Sequence, residues 1–185
     1  MSRLMWAALA AAGGLAAAGG AQAAVTVIGG GMAEECAKAT VRGASDQGTE
    51  RLCSAALETE FLNARDRAGT YINRGVIQMR RKEWVGAERD FDTALKIKPD
   101  LGEGYVNRGA AYIGQARFLQ SLPEIDKGLK LGVEEPHKAY YNRALAHEGL
   151  EDAKSAYLDY QQAVALAPNW EAPRKELLRF SVTTR

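Results

Sequence analysis

Two apolar patterns alternate along residues 68–170. In the first, an aromatic residue stands four places before a small one: Tyr71 and Gly75, Tyr105 and Gly109, Tyr140 and Ala144. The second begins twelve residues after each small position, as Ala87, Phe91, Ala94 and Leu95 in its first copy and Ala156, Tyr160, Ala163 and Val164 in its last. Steps of four, three and one place these side chains on one face of a helix. Pro99 and Pro168 then follow, where a helix has to stop. The alternation predicts pairs of short antiparallel helices that pack closely where a small residue of one faces an alanine of the other.

The same phrase marks each first helix: YINRG at 71–75, YVNRG at 105–109 and YYNRA at 140–144. Aligned on it, the chain divides into units at 68–101, 102–135 and 137–170, with Pro136 as one inserted residue. Period, residue types and spacing resemble the tetratricopeptide repeat (TPR), whose motif orders an aromatic, Gly, Ala, an aromatic, Ala and Pro over 34 positions. The resemblance implies an all-α, right-handed α-solenoid of helical hairpins. The middle unit departs from the motif, with Ser121 and Gly128 in place of alanines, Val133 in place of proline, and Pro123 inside the expected second helix. Ser121 and Glu124 have the spacing of a capping box, so that helix is expected to start late or to kink.

Residues 32–66 fit a fourth, degenerate hairpin, in which Cys53, Ala56 and Leu57 take the places of Phe91, Ala94 and Leu95. Cys36 falls where Arg74 falls in the next unit, so both cysteines point between two helices. A structural disulfide is expected. A redox pair or a metal site would need a CxxC, a histidine cluster or a third ligand, and none is nearby. At the other end, 171–182 is expected to form a capping helix, with Leu177, Leu178 and Phe180 covering the last unit and Arg174, Lys175 and Arg179 in water.

Residues 1–23 read as a secretory signal peptide: Arg3, then an Ala/Leu/Gly run, then Ala21-Gln22-Ala23 as a small-x-small cleavage site. Cleavage after Ala23 leaves 24–31 as a flexible junction; an uncleaved anchor is the alternative. The chain is accordingly expected to be exported, periplasmic or secreted, where a disulfide persists. With Arg3 removed from the 24 basic residues, 23 remain against 23 acidic ones. That balance predicts neither a nucleic-acid partner nor membrane insertion after cleavage.

Function is expected on the concave face lined by the first helices. Asn73, Asn107 and Asn142 recur there at one equivalent place, beside Ile72, Val76, Val106, Ala110, Lys138, Tyr141 and Leu145. A side-chain amide carries both a donor and an acceptor, so a row of amides is able to hold an extended peptide backbone, as in the asparagine ladder of peptide-binding TPR proteins. Joining adjacent repeats is the other use open to them. The carboxylate clamp of chaperone-binding TPR domains is matched by Asn107 and Lys138 but not by Ile72, Val76 or Asn142. Arg74, Arg108 and Arg143 are expected to pair with Asp90, Glu124 and Asp159.

His137 and His147 have no catalytic companions, and VIGGGMAE at 27–34 lacks the spacing of a dinucleotide loop. No cofactor, metal or enzymatic activity is expected. The sequence reads as a non-catalytic adaptor that binds an extended peptide segment of an envelope protein. The alternative is a self-associating envelope scaffold, a homo-oligomer whose groove or ends hold another copy or the protein's own tail, FSVTTR.

Overall fold

The structure, a computed structural model, describes residues 4–8, 21–27 and 31–184. Eight helices pair into four hairpins: α1 (Met32–Val41) with α2 (Gln47–Thr59), α3 (Ala64–Arg80) with α4 (Trp84–Ile97), α5 (Gly102–Gly114) with α6 (Phe118–Leu131), and α7 (Pro136–Gly149) with α8 (Ala153–Leu166). Each hairpin packs on the next, and α9 (Glu171–Leu177) closes the stack against α8. Asp46, Asn63 and Asp152 cap the starts of α2, α3 and α8, their side-chain oxygens accepting from Thr49, Asp66 and Ser155 N–H at 2.9, 2.9 and 3.1 Å. Such caps satisfy amides that the first helical turn leaves unpaired.

Within the repeated phrase, each residue has a separate use. The small residue lets the hairpin close: a Cβ added at Gly75 would lie 2.6 Å from Phe91, and one at Gly109 2.6 Å from Ile125. Each arginine binds across its own hairpin, Arg74 to Asp90 at 2.8 and 2.7 Å, Arg108 to Glu124 at 3.0 and 2.7 Å, Arg143 to Asp159 at 2.8 and 2.8 Å. It also reaches the second helix of the preceding hairpin, at Ser54, Asp92 and Asp126 respectively. The tyrosine lies under the guanidinium, 5.3 to 5.5 Å from ring centre to Arg Cζ. One side chain thus ties three helices together.

Each of these three hairpins turns through a left-handed residue: Lys82, Ala116 and Glu151, with φ of 62°, 57° and 60°. In the first hairpin Cys36 and Cys53 form a disulfide between α1 and α2 with both residues fully buried, next to Ile77 of α3.

Three expectations need correction. α6 begins at Phe118, before Ser121, and runs through Pro123. Ser121 is fully buried at the alanine position, and Glu124 is taken by Arg108, so neither is free to build a capping box. The C-terminal helix ends at Leu177, and Phe180–Thr184 forms a strand, β2, paired antiparallel with β1 (Leu4–Ala8). Phe180 still covers the last hairpin, 5.7 and 5.9 Å from the Tyr157 and Tyr160 rings, whereas Leu178 is 84% exposed and Arg179 binds Glu148. Finally, residues 24–27 are not a loose junction. They lie in the groove described next. Most of the expected signal peptide, 1–3 and 9–20, is outside the described residues.

Candidate functional site

α3, α5 and α7 present Asn73, Asn107 and Asn142 at equivalent turns, all three fully buried. They are buried because the groove is filled. Residues 21–27 run through it in extended form, and each asparagine grips the backbone of every second residue. Asn142 Oδ1 accepts from Ala21 N–H at 2.7 Å, and its Nδ2 donates to Ala21 C=O at 2.8 Å. Asn107 holds Ala23 in the same way, at 3.1 and 2.7 Å. Asn73 holds Val25 at 2.9 and 2.9 Å. The occupant therefore runs opposite to the order of the repeats, its amino end at the third.

The register follows from backbone geometry. In an extended chain the N–H and C=O of one residue point to the same side, and the side alternates with each residue over about 3.3 Å of rise. Three amides one repeat apart meet residues two apart, so chain period and repeat period coincide along this wall. Shut off from water by an occupant that did not pair with them, the three amides would cost about 1–3 kcal/mol each. The occupant supplies both partners that each one needs.

The occupant's side chains alternate too. Ala23, Val25 and Val27 are buried, at 2, 2 and 6% exposure, whereas Thr26 is exposed. Val25 belongs to the cluster of Ala68, Ile72, Val76, Met79 and Ala110. Ala21 joins that of Val106, Ile113, Tyr141 and Leu145, and Val27 packs with Ala33, Ala37 and Ala56 of the first hairpin. Lys138 Nζ donates to Gln22 C=O at 3.1 Å while pairing with Glu135. At the far end Thr26 donates to Glu134 at 3.4 Å, and Glu134 reaches Arg65 across the groove at 3.8 Å.

All ten residues expected on the concave face thus surround one strand of this chain. Glu148, one turn after Leu145 on α7, accepts from Tyr160 O–H at 2.5 Å and from Arg179 at 2.7 Å. The terminal tail does not fill the groove; it pairs with 4–8. Sequence reasoning missed Gly69, where an added Cβ would lie 2.9 Å from Val25 Cγ1 and would hold the occupant off. It also missed the occupant itself. The available signal was the alternation Ala21-x-Ala23-x-Val25-x-Val27, a period of two beside a helical array.

Burial pushes the Tyr141 hydroxyl up to about 12 and the Tyr160 hydroxyl higher still, and it holds His137 below the usual histidine range. Among the described residues no cluster of three His, Cys, Asp or Glu side chains is arranged to hold a metal ion. No described helix is long and apolar enough to cross a membrane.

No family model matches the chain. Sperm-associated antigen 1 of Homo sapiens is 29% identical over 96 residues, which are 52% of this chain and 10% of that protein. Its Rattus norvegicus counterpart is 30% identical over 88 residues, 48% of this chain and again 10% of the relative. The chain spans about a tenth of the length of these curated relatives. Among solved structures, the Arabidopsis OM64 TPR domain superposes with a TM-score of 0.59 at 24% identity, covering 63% of this chain and 96% of that domain. MamA (residues 41 to the end) from Desulfovibrio magneticus RS-1 gives a TM-score of 0.61 at 20% identity, covering 80% of this chain and 82% of that one. With the repeat geometry above, these likenesses establish the fold: the chain is a tetratricopeptide-repeat solenoid.

Proposed function

We propose that the protein is a non-catalytic adaptor of the cell envelope whose concave groove holds an extended segment of a protein partner by its backbone. The observation that carries this reading is the set of six hydrogen bonds from Asn73, Asn107 and Asn142 to alternate residues of an extended strand. Main-chain recognition of this kind supplies affinity, while side-chain pockets supply preference. Residues 21–27 act as a resident competitor that the partner displaces. Signal cleavage after Ala23 would remove the occupants of Asn142 and Asn107 and leave Val25 on Asn73, opening two of three places.

The test is crosslinking capture from the cell envelope with the wild-type chain and with Asn73→Ala/Asn107→Ala/Asn142→Ala at equal folded level. A partner captured by the first and lost by the second is expected. Equal capture by both would overturn the reading.

Self-association is the second reading, and one observation favours it. The occupant is a segment of this same chain, and a second copy could supply it with the same hydrogen bonds. A concentration-dependent shift in size-exclusion elution, abolished by the triple asparagine variant, is its signature.

A further inference from the structure

From the way residues 21–27 are seated, we infer that the groove selects its partner by a side-chain phase: a segment of the form small-x-small-x-Val-x-Val, entered with its amino end at the third repeat. This rests on the peptide-groove reading above and adds to it which peptides fit. Backbone bonding alone is indifferent to sequence, so the preference has to come from where the alternate side chains go.

Three of the four in-phase positions, Ala23, Val25 and Val27, are closed, and Ala21 is partly exposed. Ala23 is 2% exposed, with its backbone held by the Asn107 amide, so a longer side chain there has to be accommodated inside the packed groove. Ala21 sits in the cluster that contains Tyr141, whose own ring is packed 4.9 Å from Trp170 and 5.6 Å from Tyr160 and so has nowhere to retreat. Val25 is received over Gly69, at a distance that even one added methyl group on the wall would violate. Val27 packs with Ala33, Ala37 and Ala56 of the first hairpin, with Met32 and Leu62 against the same cluster and Gly69 facing it. That hairpin carries Glu35 at the place of the ladder asparagine, and Glu35 is exposed, so the position is read by packing alone.

The out-of-phase positions are open by comparison. Thr26 is exposed, and Gln22 and Ala24 are partly so. Polar rim groups flank them: Lys138 and Arg80 near Gln22, Glu134 near Thr26. These places accept large or polar side chains. Direction is fixed by the sizes, alanine at the third and second repeats and valine at the first, so a reversed segment would bring valine to the alanine places.

The experiment uses the full chain with Ala23→Asp and Val25→Asp, which evict the resident strand but leave every groove residue intact. The probe is a labelled peptide, Ac-AQAAVTV-amide, read by fluorescence anisotropy. Binding is expected, and it should be at least tenfold weaker to the wild-type chain, whose own strand competes. Leucine at the third peptide position should weaken binding by about 10- to 100-fold, the cost of overpacking a closed site, and at the partly exposed first position by less. Leucine at the second, fourth or sixth should change it by less than about threefold. The reversed peptide should bind as poorly as the third-position leucine variant.

Equal binding of all these peptides, still lost in the triple asparagine variant, would overturn the phase while leaving the peptide-groove reading intact. No binding by any peptide to a folded evicted chain would overturn both. If the evicted chain does not fold, the same leucines are placed one at a time within residues 21–26 of the wild-type chain. The one at 23 should then abolish amide protection of the strand and those at 22, 24 and 26 should keep it; the opposite pattern defeats the inference.

Discussion

At the scale of single residues, the three arginine pairs differ in burial although they share one geometry. Asp90 and Asp159 side chains are 7 and 8% exposed, Glu124 is 21%. Removing one partner of a buried pair strands the other charge, whereas a more exposed pair is screened by water. Ser121 is the opposite case. Its hydroxyl is fully buried without a hydrogen-bond partner among the described residues, at a position where the repeat motif has alanine. Ser121→Ala should therefore stabilise the protein by about 1 kcal/mol, since an orphaned buried polar group costs about 1–3 kcal/mol. Urea unfolding measures this directly, and a midpoint that falls would contradict the account.

Among the elements, the first hairpin and the C-terminal cap carry the least repetitive solutions. Among the described residues the first hairpin has no Arg–acid tie of the kind found in the other three, and the Cys36–Cys53 disulfide joins its helices. A crosslink closing a loop of this size restricts the unfolded chain by about 3 kcal/mol. Reduction should lower stability by about that amount, with the amides of α1 and α2 losing exchange protection first. Simultaneous loss across all four hairpins would contradict it.

At the cap, Tyr141 and Tyr160 are buried beside Glu148 and Glu176, which pushes their hydroxyls up. With a folded pKa of about 12 for Tyr141 against about 10 unfolded, the unfolded chain releases this proton first as pH rises. The contribution is complete below pH 10, falls between pH 10 and 12, and amounts to about 3 kcal/mol at most. Tyr141→Phe should flatten that part of the stability–pH profile; an unchanged slope would show that Tyr141 is not its source.

Much of this level was legible in the sequence. Spacing of aromatic and small residues located the hairpins, and the recurring Asn-Arg pair anticipated both the ion pairs and the concave row. The helix through Pro123 was not legible, because the local capping pattern was outweighed by packing that buries Ser121 at the repeat's alanine place. Neither was the end of α9, where residues distant in sequence, 4–8, offer 180–184 a strand partner.

At the scale of the whole molecule, the alternation from Ala21 to Val27 was a faint sign of what fills the groove, hidden under its resemblance to a cleavage site. Ala21-Gln22-Ala23 is read as a cleavage signal by its small residues, yet the same small residues let it sit under Asn107 and Asn142. Only the fold reveals that these amides stand one repeat apart and so match a chain of period two. The asparagines thus hold a strand of this same chain. Each one is satisfied by a strand 48 to 121 positions away in sequence.

The most direct test of that claim is amide hydrogen exchange on the full chain, residue by residue across 21–27, before and after Asn73→Ala/Asn107→Ala/Asn142→Ala. The account predicts slow exchange at Ala21, Ala23 and Val25, fast exchange at Ala24 and Thr26 whose N–H groups point away from the ladder, and loss of the protection in the triple variant. Uniformly fast exchange in the wild-type chain, or protection that survives the three substitutions, would contradict it.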